Sequence, residues 1–474
     1  MTDGLSINLC GVKPWLTLVL IVNFVFKPME KLEKIIKLSF YLFVFFLPWN
    51  TRLIWHDASI NGYIWEYGRY SLYGTEILLW LTLILYLFWL LKTKQLQKFS
   101  FSGFISKLKK PEVLIYWLII LFVFICGLSV FWALDASLAY NRWFTLLEAV
   151  AMCSMILVFD FKLEKIAICL VASGAVQGIF ASWQFFSQYV FANKWLGLAE
   201  HLSTVSGSVI VQTVGERWLR AYGSFPHPNI LGGFLAISLL FLLYLAFLAK
   251  TKKQRIFVLF SLLAITPGLF FTFSRGAWVA LIFSFGVLGA WLWQKKYYLW
   301  NKTFLKILSL IFLMVLILGV NLHNPLIARF RGQENTEVES IQLRVAFANQ
   351  SWQLIKDLPL MGEGIGNYTL GIYQKINSTW PGYYYQPVHN IYLLVPAEVG
   401  IFGAAIFYLI LLLLIIFLIK SVLTLEKVIL LLTLFSILVM SLFDHYFWTL
   451  YCGVIIFWLV LGLNLKQLDL NKLK

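Results

Sequence analysis

The chain has 474 residues, of which 61% are hydrophobic, 18% aromatic and only 13% charged. Soluble domains carry about 25% charged and roughly 45–50% apolar residues, so the composition excludes a soluble globular protein. The net charge of +16 would also suit a nucleic-acid-binding protein. In a membrane protein, lysine-rich cytoplasmic loops explain such a charge, and we expect no nucleic-acid partner.

Long apolar runs bounded by charged residues predict the membrane-spanning helices. A membrane helix needs about 20 mostly apolar residues, and the runs are continuous rather than alternating, which excludes a membrane β-barrel. We therefore predict an all-α polytopic membrane protein with about twelve transmembrane helices, in which residues 1–474 form a single integral membrane domain. The predicted spans are 35–49, 71–91, 112–133, 143–161, 166–190, 228–249, 256–273, 276–294, 303–322, 398–419, 427–443 and 446–464.

The apolar segment 14–26 is shorter than these spans. It could lie at the interface, re-enter the membrane or form an extra helix. No small-residue cleavage site follows it, so we do not interpret it as a removable signal peptide. The five cysteines lie in or beside apolar runs, which is typical of small core residues rather than of a disulfide framework or a CxxC site; they are Cys10, Cys126, Cys153, Cys169 and Cys452.

Lysine predicts the orientation of the chain. If the loop before the first span lies inside, every loop on that side carries lysine, whereas the other side has fewer basic residues. Five of those lie in one long loop, 323–388. Because basic residues mark cytoplasmic loops, we predict a cytoplasmic carboxyl terminus and an extracytoplasmic loop at 323–388.

Arginine and histidine are distributed differently from lysine. Nine of the ten arginines and all six histidines lie in predicted outer segments, and only Arg255 lies inside. Lysine would serve topology equally well, whereas the planar fork of arginine suits phosphate or carboxylate. The outer face is therefore predicted to hold an anion-binding site. Any single arginine could instead snorkel beside lipid headgroups.

The first outer motif is RAYGSFPHPNILGG, at residues 220–233. Its two prolines end any preceding helix, and Pro228 can occupy the first turn of a new one. Arg220 would then lie just outside the helix, with His227 and Asn229 at its mouth.

Two further outer motifs flank membrane spans. TFSRGAW, at residues 272–278, is a turn between two spans whose single charged residue is Arg275. HNIYLLVPAEVGIFG, at residues 389–403, re-enters the membrane and contains Glu398 at the start of an apolar run. An unpaired carboxylate there is costly and indicates a partner or a function.

These motifs resemble those of the O-antigen ligase and polymerase superfamily, polytopic enzymes that transfer a glycan from an undecaprenyl diphosphate carrier. The segments RAYGSFPHPN, SRGAW and HN-x-YL-x(4)-E-x-G-x-x-G carry the resemblance, and PLMGEGIGNY at 359–368 is similar to the long outer loop of the family. The likeness covers about residues 215–405, and the preceding residues match only in hydropathy and number of spans.

The resemblance implies a GT-C-type helical fold with a partly helical outer loop and assigns roles to individual residues. The phosphate-binding arginines of the family fall on Arg220 and Arg275, and its catalytic histidine falls on His389. Arg217 lies about one turn from Arg220 and could serve in its place. The further candidates for substrate contacts are Tyr222, His227, Arg344, Asn390, Glu398, Asp444 and His445.

The resemblance also implies partners and a location. The donor would be an undecaprenyl-diphosphate-linked glycan, the acceptor a glycolipid or glycan, and the surroundings the lipid bilayer. The location would be the bacterial cytoplasmic (inner) membrane, with the active site on the outer, periplasmic side. No cofactor is implied.

The chemistry of these residue types agrees with the resemblance. A glycosyl diphosphate already carries a good leaving group, so the enzyme must neutralise developing charge and activate an acceptor hydroxyl. Two arginines can supply the first function, and a histidine near neutral pKa can supply the second as general base. The sequence contains no D-x-D, HxxxH or CxxC pattern, so we expect a metal-independent enzyme.

Several outer residues have a plainer interpretation beside the functional one. Glu334, Glu337 and Glu339 could bind a cation but are more typical of a solvated loop. His227 and His445 could be polar residues at headgroup level, and Asp444 could orient a catalytic side chain. The tyrosines at 383–385 could line an acceptor site or belong to the interfacial aromatic belt.

Two classes of function remain open at this point. The first is a glycan transferase, in which a ligase is favoured over a polymerase and over a protein O-oligosaccharyltransferase. The second is a flippase for lipid-linked oligosaccharides, which would also need arginines for the diphosphate. Transporters are typically built from repeated halves with ionisable residues near the midplane. The sequence has no internal repeat and its candidate residues cluster at one surface, which favours the transferase.

The predicted orientation can be tested by cysteine labelling in sealed cells. Cysteines introduced at Ser206 and Gln333 should react with an impermeant maleimide, because both positions lie in predicted outer loops. A cysteine at Gln97 should not react. Labelling at Gln97 would reverse the orientation and move the candidate site to the cytoplasm.

Overall fold

The structure, a computed structural model, describes residues 14–93, 111–331 and 335–468. Helices make up most of this part of the chain. In chain order they are α1 (Pro14–Phe46), α2 (Gly74–Lys92), α3 (Pro111–Leu128), α4 (Ala136–Val158), α5 (Leu163–Ser187), α6 (Pro228–Leu248), α7 (Lys252–Phe271), α8 (Arg275–Gln294), α9 (Tyr298–Asn321), α10 (His323–Arg331), α11 (Asn335–Asp357), α12 (Tyr368–Lys375), α13 (Ile391–Lys420), α14 (Leu425–Met440), α15 (Tyr446–Thr449) and α16 (Tyr451–Lys466).

Short β-hairpins occupy two of the connections between helices. All are antiparallel pairs of two strands: β1 with β4, β2 with β3, β5 with β6 and β7 with β8. No pattern in the sequence predicted these strands. Their bounds are β1 (Arg52–His56), β2 (Ser59–Ile60), β3 (Tyr63–Ile64), β4 (Tyr70–Tyr73), β5 (Tyr189–Val190), β6 (His201–Leu202), β7 (Ile210–Thr213) and β8 (Glu216–Leu219).

The prediction of an all-α polytopic membrane protein is confirmed. Within the described residues, nine helices are long and apolar enough to cross a membrane, namely α2 to α9 and α13. The predicted loop 323–388 is partly helical, as expected, because it contains α10, α11 and α12.

The other three predicted spans fall on helices of unusual length. Residues 427–443 and 446–464 correspond mainly to α14 and α16, which have 16 residues each and are shorter than the roughly 20 of a full span. The predicted span 35–49 falls on the end of α1, a helix of 33 residues that stops at Phe46. The segment 14–26 belongs to the same helix, so it is not a separate element.

The centre of the bundle is α6, almost all of whose residues are buried. It packs against α5, α7, α8 and α14. Beside it, α5 and α7 approach closely where Gly178 faces Gly268 and the Ala264 carbonyl, and a Cβ at Gly178 would lie 2.3 Å from that oxygen. Small residues at such crossings let backbones of membrane helices touch. This contact fixes α7, at whose end the second motif begins.

The described cysteines are core residues, as predicted. All four have free thiols, and Cys169 alone is only half-buried. Cys10 lies outside the described residues.

A break in α13 holds the long loop 323–388 in place. Gly400 has φ 71° and ψ 172°, a conformation that favours glycine. The freed backbone groups pair with the segment 359–364: the amide of Ile401 donates to the Pro359 carbonyl, and the amide of Gly364 donates to the Glu398 carbonyl, both at 2.9 Å. Irregular backbone within a membrane protein needs such partners. The loop therefore closes over the first part of α13, which follows His389.

Candidate active site

The first motif builds the mouth of α6. The helix begins at Pro228, as predicted, and His227 is its N-cap, whose Nδ1 accepts a hydrogen bond from the Asn229 amide at 3.1 Å. The side chain of His227 is therefore held at the helix mouth and lines a large cavity.

Arg220 lies behind this mouth and is buried. Its Nε donates to the Thr272 carbonyl and its Nη2 to Asn229 Oδ1, both at 2.6 Å. Asn229 Nδ2 in turn donates to Asp444 Oδ2 at 2.9 Å. The guanidinium thus joins the first motif to the second, and through Asn229 to the segment before α15.

The second motif places two arginines side by side. Arg275 is the first residue of α8, and its Nη1 donates to the Arg329 carbonyl at 3.1 Å. Arg329 is buried on α10, and its Nε donates to the Phe273 carbonyl at 3.0 Å. Phe273 has a φ of 48°, which turns the chain sharply into α8. The amino-terminal end of α8 adds its own positive field at this point.

Three arginines surround a cavity of about 250 Å³, which we call the arginine cavity. They come from α8, α10 and α11 and thus from three separate segments. Guanidinium groups grouped in this way suit a multiply charged anion such as a diphosphate. The lining residues include Arg275, Arg329, Arg344, Asn229, Ser274, Asp444 and Tyr446.

The third motif brings His389 to a cluster with Asp444 and His445, which we call the histidine cluster. Their side-chain ligand atoms lie within 4.8 Å of one another. The His389 ring stacks parallel to Phe347 with centroids 6.0 Å apart, and it meets the His445 ring edge-on at 5.1 Å. Asp444 Oδ1 accepts from the backbone amide of His445 at 2.9 Å.

His445 is tied to its surroundings through both ring nitrogens. Its Nδ1 is 2.7 Å from Thr449 Oγ1, and its Nε2 is 3.4 Å from the Tyr67 hydroxyl. Tyr67 lies between β1 and β4, so the cluster reaches from the carboxyl-terminal helices to the connection between α1 and α2. This fixation suits a positioning role for His445 rather than a mobile one.

The surroundings of His227, His389 and His445 lower the pKa of each imidazole. Burial lowers the pKa of His227 and of His445 to about 3, and it also lowers the pKa of His389. Arg344 lowers the pKa of His389 further, whereas Asp444 acts in the opposite direction. The three imidazoles are therefore neutral at neutral pH.

Asp444 is the anion of the cluster. Burial by itself would raise its pKa, but the neighbouring His389, His445 and His227 and the hydrogen bond from Asn229 outweigh that effect and hold the pKa below its ordinary value. A carboxylate beside a neutral imidazole stabilises the imidazolium that forms when the imidazole takes a proton.

The histidine cluster opens into a second cavity of about 930 Å³, which we call the chamber. Its walls come from the hairpins at 52–73 and 189–219 and from the loop segment 382–389. The Tyr63 and Tyr383 rings meet edge-on at 5.5 Å, and Tyr222 stacks on His201 with centroids 4.0 Å apart. Aromatic faces beside polar groups suit a carbohydrate. Asp444 and Tyr446 line both the chamber and the arginine cavity.

The structure brings most of the predicted site residues to these two cavities. Arg275 and Arg344 line the arginine cavity. The chamber receives His389, Asp444, His445, His227 and Tyr222, together with Tyr383 and Tyr385 of the tyrosine run.

Four predicted residues line neither cavity. Arg220 lies behind the arginine cavity, and Arg217 is exposed on β8, where its Nε donates to the Ser203 carbonyl at 2.7 Å. Asn390 is the N-cap of α13, and its Oδ1 accepts from the Leu393 amide at 3.2 Å. Glu398 is buried and accepts from Trp448 Nε1 at 2.7 Å, which supplies the partner that its position in the sequence demanded.

Sequence reasoning missed Arg329 as a member of the site. It was counted among the outer arginines, but no motif singled it out. The available signal was its place in the short amphipathic stretch directly after a span, HNPLIARFR. Its contact with Phe273 depends on the fold of the outer loop and is not visible in the sequence.

The described residues offer one candidate group of metal ligands, the histidine cluster itself. Both Asp444 oxygens already accept hydrogen bonds, and both ring nitrogens of His445 have polar neighbours. These contacts do not test whether the enzyme needs a metal, so metal independence stays a prediction. Of the acidic residues at 334–339, Glu334 and the side chain of Glu337 lie outside the described part, and Glu339 is exposed.

Comparison with known protein families identifies the central part of the chain. Residues 260–408 match the family model Wzy_C, described as O-antigen ligase. This match to an O-antigen ligase domain supports the resemblance of the chain to the O-antigen ligase and polymerase superfamily. Members are glycosyltransferase-like enzymes of membranes that act on lipid-linked glycans. No curated protein matches the chain.

The matched O-antigen ligase segment contains only part of the site. Arg275, Arg329, Arg344 and His389 lie inside residues 260–408, whereas Asp444 lies outside. Most of the chamber wall also lies outside the segment. The three arginines of the arginine cavity thus lie in the part of the chain that matches the family model.

Inorganic diphosphate is expected to bind in the arginine cavity. The variant Arg275→Lys should bind it at least about tenfold more weakly, because a lysine point charge does not reproduce bidentate hydrogen bonds and tenfold corresponds to about 1.4 kcal/mol. Isothermal titration of the detergent-solubilised protein measures the affinity. The control Arg217→Lys, at an exposed arginine, should bind as the wild type does. Equal affinities for wild type and Arg275→Lys would contradict the role of Arg275.

Proposed function

We propose that the chain transfers an undecaprenyl-diphosphate-linked glycan to an acceptor hydroxyl at the outer face of the bacterial cytoplasmic membrane, most simply as an O-antigen ligase. One observation carries this proposal. The arginine cavity and the chamber share the side chains of Asp444 and Tyr446 as a common wall, and His389 stands beside that wall. An anion site and a carbohydrate-sized space therefore meet at a neutral imidazole.

The donor diphosphate is assigned to the arginine cavity. Arg275, Arg329 and Arg344 neutralise the charge that grows on the diphosphate as it leaves, which is the main electrostatic demand of the reaction. Arg220 supports the cavity from behind by holding Asn229 and the Thr272 carbonyl. In this assignment Arg220 acts as a positioning residue, which departs from the direct phosphate contact that the family resemblance implied.

The acceptor is assigned to the chamber, with its reacting hydroxyl at His389. The imidazole removes the hydroxyl proton while the acceptor oxygen bonds to the anomeric carbon, and the bond from that carbon to the diphosphate oxygen breaks. The undecaprenyl diphosphate leaves with the electron pair of that bond. Asp444 stabilises the imidazolium until its proton is released to solvent.

Two alternative functions would use the same site in different ways. An O-antigen or surface polysaccharide polymerase would use the same residues but accept a second lipid-linked chain in place of a lipid A core. A flippase would use the arginines to bind diphosphate without needing a base. The neutral His389 beside a carboxylate favours transfer over transport.

Transfer by the purified protein in detergent tests the proposal. Without a second compartment, a flippase produces no new glycosidic bond, whereas a transferase links the glycan to its acceptor. Offering lipid A core and a second lipid-linked chain separately distinguishes ligase from polymerase. We expect transfer to persist in a chelator, because both carboxylate oxygens of Asp444 already accept hydrogen bonds. Failure with every acceptor would reject the transferase proposal, and loss with chelator alone would reject metal independence.

The pH profile of transfer tests His389 as the base. The base must be neutral, so activity should fall with acidity through its pKa, which burial and Arg344 hold below the ordinary 6.5. Asp444→Asn removes the group that raises this pKa and should move the acid limb to lower pH, with a slower plateau. Arg344→Gln should move the limb to higher pH. Limbs that stay in place in both variants would exclude His389 as the titrating group.

Substitution of His389 separates catalysis from structure. His389→Gln should keep diphosphate binding yet lose transfer by about 10²–10⁴-fold, the usual contribution of a general base. His389→Asn should be equally inactive, because the cap of α13 is supplied by Asn390 and not by His389. An active asparagine variant would leave the arginines as the only mechanistic residues.

A further inference from the structure

Two buried glutamates face each other away from the active site. Glu76 lies in the first turn of α2 and Glu148 in the middle of α4, and their relative exposures are 8% and 4%. Trp80, one turn after Glu76 on α2, donates to Glu148 Oε1, so the two carboxyl groups lie beside each other between α2 and α4. We call them the acid pair. Since an ionised carboxylate only accepts hydrogen bonds, two neighbouring buried carboxyls can bind to each other only when one of them carries a proton.

The remaining contacts of the acid pair leave polar atoms without partners. The Tyr73 amide donates to Glu76 Oε2 at 3.1 Å, and Trp80 Nε1 donates to Glu148 Oε1. Glu148 Oε2 and the Tyr451 hydroxyl, both buried, have no hydrogen-bond partner in the described part of the chain. Tyr451 interacts electrostatically with both carboxyls. These polar groups lie on apolar helices.

No basic side chain forms an ion pair with either carboxyl among the described residues. The two nearby arginines are engaged elsewhere. Arg52 Nη1 is 2.7 Å from Glu66, and Arg142 donates to the backbone carbonyls of Thr449 and Tyr67. Two adjacent carboxylates in a medium of low dielectric constant cannot both be ionised without a compensating cation.

We propose that Glu76 and Glu148 form a proton-binding site within the membrane, which holds at least one proton at neutral pH. Its ligand is the proton itself, shared between the two carboxyls and able to pass to Glu148 Oε2. This inference does not rest on the proposed transferase activity.

The acid pair lies directly behind the wall of the chamber. The Tyr451 ring stacks on Tyr73 with centroids 4.9 Å apart and an interplanar angle of 12°. Tyr73 and the adjacent Cys452 line the chamber. A group attached covalently to Glu76 or Glu148 must displace the rings of Tyr73 and Tyr451. Chemical modification of the acid pair should therefore change the shape of the chamber wall.

Dicyclohexylcarbodiimide tests the proposal because it reacts with protonated carboxyls in apolar surroundings. The acid proton moves to a carbodiimide nitrogen and the carboxylate oxygen bonds to the central carbon, so the adduct keeps all atoms of both reactants. Mass spectrometry of the full-length protein in detergent should find the adduct on Glu148 at pH about 7, where a solvated glutamate of pKa about 4.3 is ionised. Labelling should fall as the pH rises.

Matched variants show whether the pair, and not a lone carboxyl, binds the proton. Glu148→Gln should abolish the adduct. Glu76→Gln removes the neighbouring negative charge, so labelling of Glu148 at alkaline pH should slow at least about tenfold. Glu33→Gln is the control, because Glu33 also accepts from a tryptophan, Trp89 Nε1 at 3.1 Å, but is a single half-buried carboxylate. It should leave labelling of Glu148 unchanged.

Infrared spectroscopy covers the case in which the reagent fails to reach the pair. The wild-type minus Glu148→Gln difference spectrum at neutral pH should contain the carbonyl band of a protonated carboxylic acid, and this band should shift in deuterium oxide. Its absence would overturn the proposal. Protection from the carbodiimide by sodium but not by choline would also overturn it, because the pair would then hold a metal cation instead of a proton.

Discussion

The buried carboxylate of Asp444 is the group on which the arrangement of the site depends. Burying an ionised carboxylate costs several kcal/mol unless hydrogen bonds and charges compensate. Here Asn229 and the His445 amide donate to it, and Arg220 holds Asn229 in position. Because these donors come from the mouth of α6 and from the segment before α15, one charge fixes the relative position of two distant parts of the chain.

The same carboxylate divides the site into two halves of different origin. On one side, the arginine cavity is built by α8, α10 and α11, all within the segment that matches the O-antigen ligase family. On the other, the chamber is built largely by hairpins at 52–73 and 189–219, outside that segment. The arginine cavity therefore depends on helix ends and arginines, and the chamber on short connections whose aromatic side chains shape the space.

Helix starts, spans and residue chemistry were predictable from the sequence because each leaves a local signal. Pro228 marks the first turn of α6, and the apolar runs mark the bundle. The hairpins were not predictable, since strands of two to five residues give almost no alternation pattern. The division of one helix at Gly400 was hidden for a similar reason, because an apolar run continues through it.

The second limit on prediction from the sequence was that interacting residues lie far apart in the chain. The guanidinium of Arg220 faces the Thr272 carbonyl, and Glu398 receives the indole of Trp448, 50 residues away. In both cases the residue type correctly indicated a buried polar interaction, but only the fold decides which group supplies it. Conversely, His389 and Asp444 were singled out separately, and the structure adds that they are neighbours.

The hydrogen bonds between the long loop 323–388 and α13 determine which residues of the two segments can change in sequence. The loop is fastened by main-chain hydrogen bonds between residues 359–364 and 397–401, and such bonds do not depend on side-chain identity. Gly362 and Gly364 have φ of 67° and 92°, and built Cβ atoms there would lie 2.5 Å from the Glu398 backbone and 2.4 Å from the Ala133 side chain. Most residues of these two segments can therefore be substituted without loss of the main-chain hydrogen bonds. Gly362 and Gly364 are the exception, because neither position tolerates a side chain.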